Sequence, residues 1–150
     1  MMVLAKSSVI LMAEDDSDDQ LLVRDALSEA GFGLDLRFVA NGVELMDYLH
    51  QRNQFQTGGT SPRPGLIILD LNMPKMDGGE ALKEIKADPE LRKIPVVILT
   101  TSTADPDIAK AYDLGANSFI SKPAAYNVLV NIMRAIGQYW FNVVVLPVKA

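Results

Sequence analysis

The feature that most constrains the fold is a strict alternation of strand-like and helix-like segments, repeated five times along the chain. Each short apolar run is followed by a segment whose apolar residues recur at helical intervals. Parallel strands joined by right-handed crossovers need a helix after every strand, so the pattern predicts a doubly wound, five-stranded parallel α/β sheet. The predicted strands are 8–13, 36–40, 66–69, 95–100 and 118–121, and the predicted helices are 18–30, 42–50, 80–87, 105–114 and 126–139.

The composition fits one globular domain with a substantial core. The chain has 150 residues, of which 49% are hydrophobic and 22% are charged. We therefore expect a single domain over residues 1–150, with a core at about 8–138 and an apolar C-terminal extension at 139–150. The polar stretch 51–64 leads directly into another core strand, so it is interpreted as a loop rather than a domain linker.

Several classes of function are disfavoured by what the sequence lacks. It has no cysteine, which excludes disulfides and thiol chemistry and fits the reducing cytoplasm, where we expect the protein to act. The apolar run near the N-terminus is too short for a signal peptide, and no stretch approaches the length of a membrane span. The net charge of −5 comes without a basic cluster, which argues against nucleic-acid binding.

Polar or charged residues stand where four of the five predicted strands end. They are Glu14 and Asp15 after the first strand, Asp70 after the third, Thr100 at the end of the fourth and Lys122 after the fifth. The carboxyl ends of parallel strands lie at one edge of the sheet. With the strand order 2-1-3-4-5, Asp15 and Asp70 would follow neighbouring strands about 4.8 Å apart, at the switch point where such sheets bind ligands.

The carboxylates predicted at this edge need a cation. Two carboxylates about 5 Å apart repel by roughly 3 kcal/mol at an effective dielectric constant near 20. A small set of hard oxygen ligands suits Mg²⁺, which keeps several waters and often shares its remaining positions with a phosphate. The sequence therefore predicts a Mg²⁺ site beside Asp70.

The same strand ends carry a resemblance to a known family. They include the acidic pair after the first strand, Asp-Leu-Asn-Met-Pro-Lys-Met-Asp-Gly at 70–78, Thr100-Thr101-Ser102 and Lys122-Pro123. Together and in this order, they make residues 8–138 resemble the receiver domain of two-component response regulators, which has a flavodoxin-like fold. The insertion before Pro64-Gly65, the segment 86–95 and the tail 139–147 are most similar to single-domain regulators of cyanobacterial and bacterial phytochrome kinases.

The resemblance implies a signalling protein and not an enzyme with a separate substrate. A partner histidine kinase of the phytochrome type would transfer a phosphoryl group from its phosphohistidine to Asp70. Asp15, Asp70 and the backbone carbonyl of Asn72 would hold Mg²⁺ directly, and Glu14 would act mainly through bound water. Lys122 and Thr100 would contact phosphoryl oxygens. Phe119 would be the switch aromatic, the ring that turns inward as the threonine moves. The resemblance also implies that the bond between Lys122 and Pro123 can be cis.

The alignment of the acidic triplet 14–16 leaves open which two residues serve the metal. We choose Glu14 and Asp15, because the apolar strand ends at Ala13. The later acids are interpreted as the solvated start of a helix, with Ser17 or Asp18 as its N-cap.

Two rival functions from other classes are also considered. A haloacid-dehalogenase-like phosphohydrolase also uses an aspartate nucleophile after a parallel strand, but it needs a second aspartate two residues later as general acid. Asn72 stands at that position and cannot deliver a proton. A receiver-like scaffold that works without phosphorylation is the other rival, and the presence of Asp70, Thr100 and Lys122 argues against it.

The C-terminal tail is too apolar to remain comfortably in water. It either packs on its own domain or meets a second chain, and the resemblance favours a homodimer built on the last helix and the tail. The expected interface residues are Tyr139, Trp140, Phe141 and Val143.

Overall fold

A five-stranded parallel sheet organises the computed structural model, which describes residues 9–56 and 61–147. The strands are β1 (Val9–Ala13), β2 (Asp35–Val39), β3 (Leu66–Leu69), β4 (Val96–Thr100) and β5 (Ser118–Ser121). Their order in the sheet is β2-β1-β3-β4-β5. The predicted doubly wound fold and its strand order are therefore confirmed.

A helix follows every strand, as the alternation predicted. The helices are α1 (Ser17–Ala30), α2 (Gly42–His50), α3 (Gly78–Ala87), α4 (Asp105–Asp113) and α5 (Tyr126–Gln138), with short 3₁₀ turns at Asn53–Phe55 and Leu91–Lys93. Helices α1 and α5 pack together against one face of the sheet, and α2, α3 and α4 cover the other. Within the described ranges, every helix falls short of the length and apolar character needed to cross a bilayer.

The alternation of side chains along the strands divides the core into two clusters. On β1, Leu11 and Ala13 belong to the first cluster, beneath α2, α3 and α4, whereas Ile10 and Met12 belong to the second, beneath α1 and α5. All four residues are fully buried. Because both faces of the sheet are covered, the central strands consist of continuous apolar runs.

Two helix starts differ from the sequence prediction because of side-chain capping. The N-cap of α1 is Asp16, and not Ser17 or Asp18 as predicted. Helix α3 begins at Gly78 rather than at residue 80, since Asp77 caps it and forms a reciprocal capping box with Glu80. The strand predicted from residue 8 begins at Val9 in the described part of the chain, and Ser8 lies outside it.

The C-terminal tail continues directly from helix α5. Helix α5 ends at Gln138, and a π-helical turn follows at Tyr139–Val143. Trp140 and Phe141 are partly buried against the second core cluster. Part of the tail therefore covers the domain's own core, while Tyr139, Val143 and Val145 are exposed. Residues 148–150 lie outside the described chain.

Candidate functional site

Backbone hydrogen bonds at the ends of the strands position the residues of the site. The N–H of Asp70 donates to the carbonyl of Ala13 (3.2 Å), and the N–H of Lys122 donates to the carbonyl of Thr100 (2.8 Å). The N–H of Glu14 is likewise bonded to the last residue of β2. These bonds extend the parallel ladder by one residue, so each side chain is held at the carboxyl edge of the sheet.

Asp70 is a buried carboxylate, and both of its oxygens accept hydrogen bonds. Its Oδ1 accepts from the hydroxyl of Thr100 at 2.9 Å and from the backbone N–H of Asn72 at 3.0 Å. Its Oδ2 accepts from Nζ of Lys122 at 3.0 Å. Asp70 is 5% exposed and Thr100 is fully buried. The carboxylate is therefore fixed in orientation, with hydrogen-bond donors on both of its oxygens.

Gly78 allows the loop after Asp70 to return close to the backbone of Asp70 and Leu71. A Cβ at position 78 would overlap the backbone carbonyl of Asp70 and the Cα of Leu71. The N–H of Gly78 donates to the carbonyl of Leu71 at 3.1 Å, and Asp77 caps the helix that begins here. Glycine at position 78 is thus required by the close return of the chain.

Lys122 lies at the centre of the site and uses its three ammonium protons on three carboxylates. Nζ donates to Glu14 Oε1 at 2.5 Å, to Asp19 Oδ2 at 3.0 Å and to Asp70 Oδ2 at 3.0 Å. The bond between Lys122 and Pro123 is trans, and the cis form that the resemblance allows is not adopted. The backbone bond that joins Lys122 to the end of β4 already directs the side chain into the site.

The acidic triplet divides between the site and helix α1. One carboxylate oxygen from each of Glu14, Asp15 and Asp70 lies within 4.8 Å of the other two. Asp16 is directed instead to α1, where its Oδ1 accepts from the N–H groups of Asp18 (2.8 Å) and Asp19 (3.2 Å). Carboxylate oxygens gathered in this way are the ligands that a small, hard divalent cation prefers.

The electrostatics of the site reflect a crowd of carboxylates around one ammonium. Burial raises the pKa of Glu14 to about 7 and the charge of Asp70 adds to this, while hydrogen bonds from Lys122 and from the N–H of Asp16 oppose it. Burial alone would lower the pKa of Lys122, but its hydrogen bonds to Glu14, Asp70 and Asp19 outweigh that effect and raise it. One ammonium cannot neutralise all these carboxylates, so the site has excess negative charge that a divalent cation would balance.

Phe119 lies on the edge strand β5, half-buried against the first core cluster. Its backbone N–H donates to the hydroxyl of Tyr112 on α4 at 3.1 Å. The role of Phe119 as the switch aromatic stays a prediction from the resemblance, and the sequence did not indicate the link to Tyr112. The contact joins β5 to α4 beside the site.

Sequence reasoning missed one residue at the site, Asp19. The sequence alone indicates a solvated helix start here, but the carboxylate of Asp19 forms an ion pair with Lys122, more than a hundred residues away along the chain. Asp16 caps α1, so Asp19 is the third residue of the helix, in the turn nearest the sheet edge. The available signal was the closeness of this helix start to the acidic pair.

The fold and the site together indicate a class of protein, the signal-receiving domains. The sheet is doubly wound, and its carboxyl edge carries an acidic pair, an aspartate, a buried threonine and a lysine. The sequence model of one protein family, the response regulator receiver domain, matches residues 10–134 of this chain. The chain belongs to this family, which confirms the family predicted from the strand-end motifs.

Relatives in sequence and structure place the chain near phytochrome regulators. It is 39% identical over 139 residues to the response regulator Rcp1 of Synechocystis sp., covering 93% of this chain and 92% of Rcp1. The crystal structure of the phosphorylated cyanobacterial phytochrome response regulator RcpA has a TM-score of 0.86 and 39% identity, covering 95% of this chain and 99% of RcpA. The Mn²⁺-bound form of Rcp1 has a TM-score of 0.83 and 39% identity, covering 93% and 98%. The predicted similarity to phytochrome regulators is confirmed.

Proposed function

We propose that this protein is a response regulator that accepts a phosphoryl group on Asp70 from the phosphohistidine of a partner histidine kinase. The observation that carries the proposal is the setting of Asp70. The carboxylate is buried, it is bonded to the hydroxyl of Thr100 and the ammonium of Lys122, and it lies beside the acidic pair of Glu14 and Asp15. The likeness to the phosphorylated response regulator RcpA also supports the proposal.

In the proposed transfer, one oxygen of Asp70 attacks phosphorus in line. The O–P bond forms as the P–N bond to histidine breaks, and the imidazole nitrogen keeps the electron pair of that bond. Charge spreads over three phosphoryl oxygens, and Lys122 and Thr100 already lie within 3.0 Å of Asp70 to donate to them. This catalysis serves only the protein's own phosphorylation and dephosphorylation.

Mg²⁺ is the proposed cofactor. Asp15 and Asp70 would hold the ion directly with the backbone carbonyl of Asn72, and Glu14 would act mainly through bound water. When bound, the ion supplies charge neutralisation for the transferring group. The cluster of carboxylate oxygens within 4.8 Å supports this donor set, and the Mn²⁺-bound form of Rcp1 supports a divalent ion.

The proposed output is a change of surface near β5. Phosphorylation adds about one negative charge and three acceptor oxygens at Asp70. The hydroxyl of Thr100 would move from Asp70 to a phosphoryl oxygen, and Phe119 would respond by turning further inward. Phe119 has no hydroxyl to stabilise an outward orientation, and it is already half-buried. Similar Phe119 rotamers with and without a phosphate mimic would contradict this switch.

A kinase of the phytochrome type is the proposed partner, and the cytoplasm is the proposed compartment. The likeness to a phytochrome response regulator supports the first proposal. The lack of cysteine in the sequence agrees with the second.

We further propose a homodimer built on α5 and the tail. Tyr139 and Val143 are exposed, whereas Trp140 and Phe141 are partly buried on their own domain. Tyr139, Val143 and Val145 together leave exposed apolar surface along the tail, which supports a partner there. Sedimentation velocity should show that Val143→Asp weakens the dimer while Val43→Asp, on exposed α2 surface, leaves it intact. A wild-type protein that remains monomeric at high concentration would contradict the dimer.

One labelling experiment tests the main proposal against its rivals. The protein is incubated with Mg²⁺ and a phosphorylated kinase or a small phosphodonor. A hydroxylamine-labile phosphate that is lost in Asp70→Asn and kept in Asp113→Asn, an exposed acid on α4, is the expected result. Rapid multiple-turnover hydrolysis would indicate a phosphohydrolase. No labelling at all would indicate a scaffold that acts without phosphorylation.

A further inference from the structure

Lys122 is paired with a carboxylate that the proposed transfer does not use. Asp19, in the first turn of α1, places Oδ2 at 3.0 Å from Nζ of Lys122, the same distance as Oδ2 of Asp70. Asp19 is not among the three residues whose oxygens gather at the candidate metal site. The helix therefore competes with the site for the lysine.

The hydrogen-bonding capacity of the ammonium is fully used in this structure. Its three protons go to Glu14, Asp19 and Asp70, and an ammonium has no fourth donor. A phosphoryl oxygen on Asp70 would take over the contact that Asp70 now makes. Lys122 would then be shared between that oxygen and the two remaining carboxylates.

Asp19 is the more exposed of those two carboxylates. Its side chain is 37% exposed, against 1% for Glu14. A phosphoryl oxygen and Asp19 that both contact one nitrogen lie no more than about 6 Å apart, where two anions repel each other. A cavity of about 50 Å³ borders this ion pair on the α1 side and is lined by Asp19, Lys122 and mostly apolar residues.

We infer that Asp19 is a positioning residue that acts through Lys122: its carboxylate draws the ammonium toward α1 and weakens the contact between Lys122 and the phosphoryl group on Asp70. The inference rests on the proposed function and deepens it. Asp19 would thereby set how tightly the phosphoryl group is held and how long it persists.

Binding of beryllium trifluoride, a mimic of the phosphoryl group, measures the effect on the loaded site. Calorimetric titration in saturating Mg²⁺ compares the wild type with Asp19→Asn, which keeps the size of the side chain but removes its charge. We expect binding to tighten by about three- to fivefold, the upper scale of a partly exposed ion pair. Asp18→Asn is the matched control. Asp18 is exposed in the same helical turn, and its substitution removes the same charge. Its affinity should stay within about twofold of wild type.

The chemical shifts of the Lys122 side chain provide a second readout, in protein without metal or mimic. Asp19→Asn should shift the Nζ and Cε resonances of Lys122, and Asp18→Asn should not. This measurement tests the ion pair alone, so it does not depend on the proposed function.

The outcomes separate the two ideas. Equal affinities in Asp19→Asn and Asp18→Asn would overturn the inference, as would tighter binding in Asp19→Asn without any shift of the Lys122 resonances. A wild-type protein that fails to bind the mimic would overturn the proposed function and with it the effect of Asp19 on the phosphoryl group. The resonance shift would in that case still report the ion pair.

Discussion

Replacing Glu14 by glutamine should stabilise the metal-free protein above about pH 7. Glu14 is buried beside Asp70, and burial raises its pKa from 4.5 to about 7. A carboxyl group whose pKa is raised by folding favours the folded state most below its unfolded pKa. That contribution is lost as the pH rises through the folded pKa of about 7, because the buried group must then ionise.

The magnitude follows from the difference between the two pKa values. Each unit is worth about 1.4 kcal/mol, so the contribution of Glu14 should fall by about 2–3 kcal/mol between about pH 5 and pH 8. Glutamine has nearly the same shape and stays neutral. The variant should match the wild type near pH 5 and exceed its free energy of unfolding by about 2–3 kcal/mol near pH 8.

Urea denaturation in the presence of a chelator, at several pH values, measures this difference. The other titratable groups are common to both proteins, so their effects cancel when the two curves are subtracted. Glu84→Gln, on the exposed surface of α3, is the control and should give a difference that does not vary with pH. Parallel curves for the wild type and Glu14→Gln, or a variant that is less stable near pH 8, would refute the reasoning.

Three further predictions concern the loop behind the site, the acidic triplet and the tail. Gly78→Ala should lower the free energy of unfolding by about 1–3 kcal/mol because a Cβ there overlaps the backbone, whereas Gly79→Ala, which has room for a Cβ, should be close to neutral in the same denaturation assay. Mg²⁺ at about 100 times its Kd should raise the free energy of unfolding of the wild type by about 2.7 kcal/mol. Asp15→Asn should lose this stabilisation by Mg²⁺. Asp16→Ala should keep it but lose about 1 kcal/mol of stability because the helix cap is removed. Trp140→Ala should cost about 2 kcal/mol because the ring packs on the second core cluster, and an unchanged denaturation midpoint would contradict that packing.

Much of the fold could be predicted from the sequence because its signals are local. Both faces of the sheet are covered, so the strands stand out as apolar runs such as 66–69, and the helices between them show a helical repeat. Asp70 and Lys122 end or follow such strands, and the ladder places them at one edge. Helix starts were less predictable, since Asp16, Ser17 and Asp18 are all good caps and the choice depends on backbone geometry.

The sequence by itself determined the alternation of strands and helices, and therefore which chemical groups lie at the carboxyl edge of the sheet. Only the tertiary structure decided which carboxylates share Lys122, since Glu14, Asp19 and Asp70 lie in three separate segments of the chain. It also decided that Trp140 lies on its own core. Contacts of this kind depend on how deeply a side chain is buried and on how a helix is rotated over the sheet, and periodicity along the chain specifies neither.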